Sequence, residues 1–234
     1  MKNKVVSRDE WVAARRAFLA KEKEFTRARD RLSEERRALP WVRVEKGYVF
    51  DGPEGKETLA DLFVGKSQLL VYHFMYDPSW DAGCKSCSFW ADNYDGIIAH
   101  LEARDVSLVA VSKASLATLD AFKQRMGWSF KWVSSLHNDF NRDYHVSFTP
   151  EEREEAKAYY NYKLGAFPSS EGPGVSVFHK DESGHIFHTY SCYARGLDML
   201  NGAYHLLDLV PKGRDEKGLP YPMAWVRLHD KYGT

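Results

Sequence analysis

The chain has 234 residues, 44% of them apolar, enough for one large domain with appendages and a substantial core. Its 33 acidic and 33 basic side chains cancel, which argues against a nucleic-acid binder or a protein held on an anionic membrane. The longest apolar run, near residues 69–76, is far too short to cross a bilayer, the charged opening MKNKVVSRDEW is unlike a secretory signal, and three cysteines are too few for a disulfide scaffold, so a soluble cytoplasmic protein is expected.

Ser7 and Glu10 form an S-x-x-E capping box, and no Gly or Pro interrupts the chain from there to Pro40. One long helix is predicted over this stretch, making residues 1–40 an element apart from a domain at 41–234. Trp11, Phe18, Phe25, Leu32 and Leu39 recur every seven residues, with Ala14 and Ala28 in a weaker companion row. Such a stripe fits two arrangements: it lies along its own domain, or it packs on a second subunit to make a homodimer.

After Trp41 strands and helices alternate. VRVEKGYVFDGPEGKETLADLF reads as a strand, a turn at Asp51–Pro53 and a short helical segment. QLLVYHF reads as a buried strand, followed by a helix from Cys84 to about Glu102. VSLVAVS (106–112) is a second buried strand, and the helix at 115–127 is closed by Gly127. This order implies parallel neighbouring strands and right-handed crossovers. FKWVSS offers a further short strand. A polar, aromatic insertion at about 136–172 is predicted to carry a helix at Pro150–Tyr160, where Pro suits the first turn. VSVFHKDESGHIFHTYS is a hairpin turning at Asp181–Gly184, ARGLDMLNGAYHLLDLV a last helix, and the tail irregular.

The chemistry concentrates in PSWDAGCKSCSFWADN, where Cys84 and Cys87 are spaced C-x-x-C at the start of a helix. A cysteine there faces unpaired backbone N–H groups and the positive end of the helix dipole, which favour thiolate over thiol. Cys84 is thus the candidate nucleophile. Gly83 allows a sharp strand-to-helix turn, and Lys85 adds positive charge. Cys87, one turn on, lies on the same face and is placed to resolve a mixed disulfide. Trp80, Phe89 and Trp90 supply a low-dielectric rim or are simply core.

Strand, C-x-x-C, helix, parallel strand, helix, hairpin, helix is an order that resembles the thioredoxin fold. Residues 42–135 are more specifically similar to the peroxiredoxin branch. WVRVEKGYVFDGP, LLVYHFMYDPSWDAGCKSCSFWADN and FHTYSCYARGLDMLNGAYHLLDLVPKGRDEKGLP together resemble a bacterial thioredoxin-like family labelled a domain of unknown function (family 899). The resemblance implies an α/β fold with a central mixed sheet flanked by helices, a long N-terminal helix and a helical insertion before the C-terminal hairpin.

With that fold, the hairpin's first strand runs antiparallel beside LLVYHF and begins next to the thiols. Thioredoxins carry a cis-proline at that place. Pro173, followed by Gly174, occupies it here, which implies a cis bond at Pro173 and a role for both residues in shaping substrate approach. The second hairpin strand ends in HTYSCY on the same edge of the sheet, about 10 Å across two strands, so Cys192 is either a third thiol of the pocket or a small buried residue. The site departs from the thioredoxin W-C-G-P-C. It also has Asp81 where a peroxiredoxin carries Thr or Ser, and a carboxylate there repels both a thiolate and a peroxide oxyanion.

Three functions remain open on the residues alone. The first is a thiol–disulfide oxidoreductase needing no cofactor, acting on a disulfide-containing protein or a small thiol. The second is a metal site built from the C-x-x-C with Cys192, His185 or His188, for which the spacing is poor: the two histidines, three apart on a strand, point to opposite faces. The third is a non-catalytic binding or dimerisation module on the same scaffold.

Overall fold

A computed structural model describes residues 3–233. The chain divides into two compact units at Pro40. The first is α1 (Arg8–Arg37), 30 residues long and so about 45 Å at 1.5 Å per residue. The capping box closes as the residues predict: the Glu10 amide donates to Ser7 Oγ (3.3 Å) and the Ser7 amide donates to Glu10 Oε2 (2.9 Å). Asp9 and Glu10 in the first turn and Arg36 and Arg37 in the last complement the helix dipole. No residue of α1 is buried.

The second unit, Trp41–Thr234, is built on an eight-stranded mixed sheet. β1 (Val42–Arg43), β2 (Val49–Gly52) and β3 (Gly55–Thr58) precede a tight 3-10 turn at Asp61–Phe63 and β4 (Gln68–His73). α2 (Lys85–Ala91) and α3 (Ile98–Glu102) lead to β5 (Val106–Ser112), and α4 (Leu116–Met126) leads to β6 (Lys131–Ser134). Then come α5 (Phe140–Asp143), α6 (Pro150–Glu154), a small separate hairpin of β7 (Ala158–Tyr160) and β8 (Lys163–Gly165), the long hairpin of β9 (Gly174–Lys180) and β10 (Ile186–Tyr193), and α7 (Gly202–Leu207).

The sheet order is β1-β10-β9-β4-β5-β6-β2-β3. β4, β5 and β6 are parallel, and β9 lies antiparallel to β4 with Gly174 opposite His73. The central four strands, β10-β9-β4-β5, with α2 and α4 as crossovers, have the thioredoxin order. The register follows from the apolar pattern, since a strand buried on both faces needs large side chains at successive positions. Leu69, Val71, Val109, Val111 and Val133 face one core with Phe50, Leu62, Phe63, Phe140 and Phe178. Tyr72, Leu108, Ala110, Trp132 and Val175 face the other, under α2 and α4. Among the described residues no helix is long and apolar enough to cross a membrane.

Several elements are shorter than their patterns predict. The helix after Cys87 breaks at Asp92–Tyr94, where the Asn93 side chain donates to the Phe89 and Trp90 carbonyls (3.0 and 3.1 Å) in place of the next turn. The helix predicted to reach Tyr160 stops at Glu154. Ala156 adopts a left-handed φ of 55° and the chain turns into β7, so the insertion holds a hairpin besides its helices. The predicted last helix splits in two: Ala194–Leu200 winds as a 3-10 helix, and α7 begins at Gly202, where Asn201 caps it by accepting the Tyr204 amide (3.2 Å). Gly127 does close α4, at φ 67°.

The turn that presents the C-x-x-C depends on Gly83, which is buried between two rings. A Cβ there would fall 2.8 Å from Phe74 Cε1 and 3.0 Å from Phe122 Cε1. Gly83→Ala is expected to lower stability by roughly 1–3 kcal/mol, as overpacked core sites do. Urea unfolding measures it, and an unchanged midpoint would contradict the tight approach.

Candidate active site

β4 ends at His73, and the next residues are tied down by backbone bonds: the Phe74 amide donates to the Val111 carbonyl (3.0 Å) and the Ala114 amide to the Tyr76 carbonyl (2.8 Å). Met75 then engages both cysteines. Its carbonyl accepts the Cys84 amide (3.1 Å), and its own amide donates to Cys87 Sγ (3.5 Å). Cys84 is the N-cap of α2, with extended φ and ψ of −55° and 125°, and its carbonyl accepts from the Ser88 amide (2.9 Å) and Ser88 Oγ (3.0 Å). The first turn therefore opens around Cys84 with amides to spare.

All three cysteines are thiols. Cys84 is partly exposed, and its thiol is lowered to about 7. The hydrogen bond from the Cys87 thiol contributes most. The Cys87 and Ser86 amides and the Lys85 charge add to it, against a cost from burial. Cys87 is fully buried, and its thiol is pushed well up, first by burial and then by Cys84. One thiol ionises easily and its neighbour holds its proton.

Burial places three tyrosines around this pair that the sequence pattern did not single out. Tyr72 donates to the Cys87 carbonyl (3.3 Å). Burial, with the Cys87 and Cys192 sulfurs adding to it, pushes up the phenols of Tyr94 and of Tyr160 from the insertion. Cys192 pairs with Val175 on β9, which pairs with Tyr72 on β4, so it stands two strands away from Tyr72 and in the same core cluster as Cys87.

The remaining predicted residues spread out. Trp80 packs against this cluster. Lys85 Nζ donates to the Ala224 carbonyl (3.2 Å), and Phe89 meets Tyr204 and Trp225 edge-on (5.3 and 5.5 Å), so the tail is laid against α2. Pro173 is not cis: every described peptide bond is trans, the isomer proline itself prefers, and the Pro173 carbonyl is held in place by the Tyr160 hydroxyl (2.7 Å). Pro173 lines a cleft of about 250 Å³ with Trp90, Tyr204, Pro222 and Met223. Gly174 lets β9 pass the Tyr193 ring, which a Cβ would meet at 2.8 Å. His185 bonds Asp181 in the hairpin turn and His188 bonds Ser191, and among the described residues no group of three His, Cys, Asp or Glu side chains is gathered as a metal would need.

A family model described as a bacterial protein of unknown function, DUF899, matches residues 1–232. The chain belongs to the DUF899 family. Solved structures similar to it include peroxiredoxin Q of Xanthomonas campestris, at 15% identity over 68% of this chain and 90% of that one, TM-score 0.45. Peroxidoxin BcpB of Mycobacterium tuberculosis is similar at 10% identity over 69% and 93%, TM-score 0.46. A yeast mitochondrial 1-Cys peroxiredoxin is similar at 15% identity over 70% and 74%, TM-score 0.41. No curated protein matches.

Two further buried polar groups in this DUF899 chain escaped the sequence pattern. Glu171, ahead of Pro173, accepts from Ser147 Oγ (2.6 Å) and Asn141 Nδ2 (3.1 Å), and its carboxyl is pushed up to about 8 by burial, with Asp77 adding to the rise. His73 is joined through Ser176 and Ser191 to His188 by contacts of 2.8, 2.8 and 2.7 Å, while its Nδ1 has no partner among the described residues. Burial, with His188 adding, lowers the His73 imidazole to about 3. A glutamate before a Gly-Pro-Gly and a histidine within an apolar strand carry no periodic signal, so only burial reveals them.

Two outcomes follow. Iodoacetamide labelling of Cys84 is expected to rise through a midpoint near pH 7, and Cys87→Ala is expected to move that midpoint upward by removing the thiol donor; mass spectrometry of labelled peptides reads both, and an unmoved midpoint would refute the pairing. Because the Glu171 carboxyl ionises higher in the fold than its ordinary 4.5, its contribution to stability is full below about 4.5 and lost as pH climbs through about 8. Glu171→Gln therefore gains on the wild type by roughly a few kcal/mol between pH 5 and pH 8.5 in urea titrations. Parallel pH profiles would show the carboxyl to be ordinary.

Proposed function

We propose that this protein is a thiol–disulfide oxidoreductase whose nucleophile is Cys84 and whose resolving thiol is Cys87. What carries the reading is the division of labour between the two: a partly exposed N-cap thiol lowered to about 7, one helical turn from a buried thiol pushed well up. A thiol that ionises near ambient pH combines a useful thiolate fraction with good nucleophilicity.

In this reading the Cys84 thiolate attacks one sulfur of a substrate disulfide. A Cys84–substrate bond forms, the substrate S–S bond breaks, and the departing sulfur leaves as a thiolate that takes up a proton. Forming the mixed disulfide removes the negative charge on Cys84, one of the two main causes that hold the Cys87 thiol up. Cys87 then loses its proton more readily, attacks Cys84 Sγ and expels the second substrate thiolate. The substrate gains two electrons and two protons, the protein ends with a Cys84–Cys87 disulfide, and a second dithiol restores it. Lys85 and the α2 amides hold charge on Cys84 at the start and the end of the cycle. Trp80, Gly83, Pro173 and Gly174 frame the approach, and the substrate is a disulfide-bearing protein or a small disulfide. The exchange needs protons and sulfur only, so no cofactor enters it.

Insulin reduction driven by dithiothreitol tests the proposal. Wild-type protein is expected to accelerate precipitation of the insulin B chain, Cys84→Ser to abolish the acceleration, and Cys87→Ser to stall as a trapped mixed disulfide detectable by mass. A wild-type rate no faster than the reductant alone, or a rate that survives both substitutions, would leave a non-catalytic scaffold in its place.

A further inference from the structure

The long N-terminal helix is the largest feature that the thiol chemistry leaves unused. Trp11, Phe18, Phe25 and Leu32 are 48–69% exposed along it, one every seven residues, and Leu39 continues the spacing just past its end. The companion row three residues on reads Ala14, Lys21, Ala28, Glu35. A seven-residue apolar repeat on an uncovered helix is a seam in search of a second helix, and its small and charged companions restrict what that helix can be.

We propose that α1 is a homodimerisation helix that packs antiparallel on α1 of a second copy of this chain, centred between Leu19 and Ala20. Size is the first argument. In this register Trp11 of each copy meets Ala28 of the other, and Phe25 meets Ala14, so two of the three rings fill the space an alanine leaves. Phe18 meets Lys21, whose aliphatic stem covers the ring while its ammonium reaches water. A parallel, in-register pair would instead set each ring on its own copy and force Lys21 on Lys21 and Glu35 on Glu35 inside the seam.

Charge is the second, independent argument. The rows flanking the seam bring Glu10 opposite Arg31 and Arg15 opposite Glu22, each pair occurring twice by symmetry. One like-charge pairing, Arg8 opposite Arg29, also occurs twice and falls at the edges. Arg15 Nη2 bonds Glu22 of its own helix (2.8 Å), while its buried Nη1 finds no partner among the described residues. This inference stands apart from the thiol chemistry and survives or fails without it.

Sedimentation velocity on the full chain at micromolar concentrations is expected to find a dimer. Arg15→Glu and Glu22→Arg are each expected to weaken it by roughly tenfold, since each sets two like-charge pairs across the seam. An equimolar mixture of the two variants is expected to recover wild-type affinity as a heterodimer. Both chains keep a repulsive pair inside their own helix, so recovery arises only between chains, and only in an antiparallel pair do positions 15 and 22 meet. In a variant with all three native cysteines replaced by serine, spin labels at Ala20→Cys are expected about 20 Å apart and labels at Glu34→Cys about 45 Å apart, from the 1.5 Å rise per residue. Circular dichroism checks that every variant keeps its helix. A monomer at all concentrations, no recovery on mixing, or equal label separations at the two positions would overturn the proposal.

Discussion

One residue pins the candidate site to the sheet. Met75 offers its carbonyl to the Cys84 amide and its amide to Cys87 Sγ, so the segment just after β4 touches both halves of the C-x-x-C at once. The intervening loop must return on itself within a few residues, and it does so by bringing Gly83 against the Phe74 and Phe122 rings where no side chain fits. The electrostatics follow from that geometry. Cys84 stands at the mouth of α2 with amides facing it, while Cys87 is carried into the core over Tyr72, away from water. Burial and hydrogen bonding then separate two chemically identical thiols.

The same sheet explains how residues far apart in sequence meet near the thiols. β9 starts opposite the end of β4, and β10 ends on that edge, so Cys192, Tyr193, Pro173 and Gly174 converge on one side of the domain. The insertion reaches the same edge through Tyr160, whose hydroxyl donates to the Pro173 carbonyl and accepts the Ala194 amide. Glu171 fastens the other side of the insertion through Asn141 and Ser147. These polar fasteners act beside the insertion's own buried rings, Phe140, Tyr144 and Phe148, and buried polar contacts are strong only when every partner is satisfied.

Much of this was legible beforehand, for reasons that differ by element. QLLVYHF and VSLVAVS are so continuously apolar that only a doubly covered strand suits them, and their spacing dictated parallel neighbours. Ser7, Gly127 and Pro150 mark helix ends because their signals are local. What was not legible has no periodic signal. The Asn93 break and the β7–β8 hairpin are set by local bonds that hydrophobic periodicity does not register, and the docking of the tail on Phe89 and Lys85 is decided by a distant segment. The expected cis bond at Pro173 came from resemblance, and every described peptide bond is trans. At the site, Cys84 and Cys87 were found by spacing, whereas Tyr72, Tyr94, Tyr160 and Glu171 gain their role only by being buried.

His73 sits at the centre of this assembly, with one ring nitrogen bonded to Ser176 and the other left bare beneath Tyr144 and Phe140. An imidazole so enclosed refuses a proton that the unfolded polypeptide accepts near pH 6.5. Every step of acidification from there toward pH 3 consequently rewards the denatured chain with a bound proton that the native form declines. The domain carries, in the strand beside its thiols, a built-in intolerance of acid.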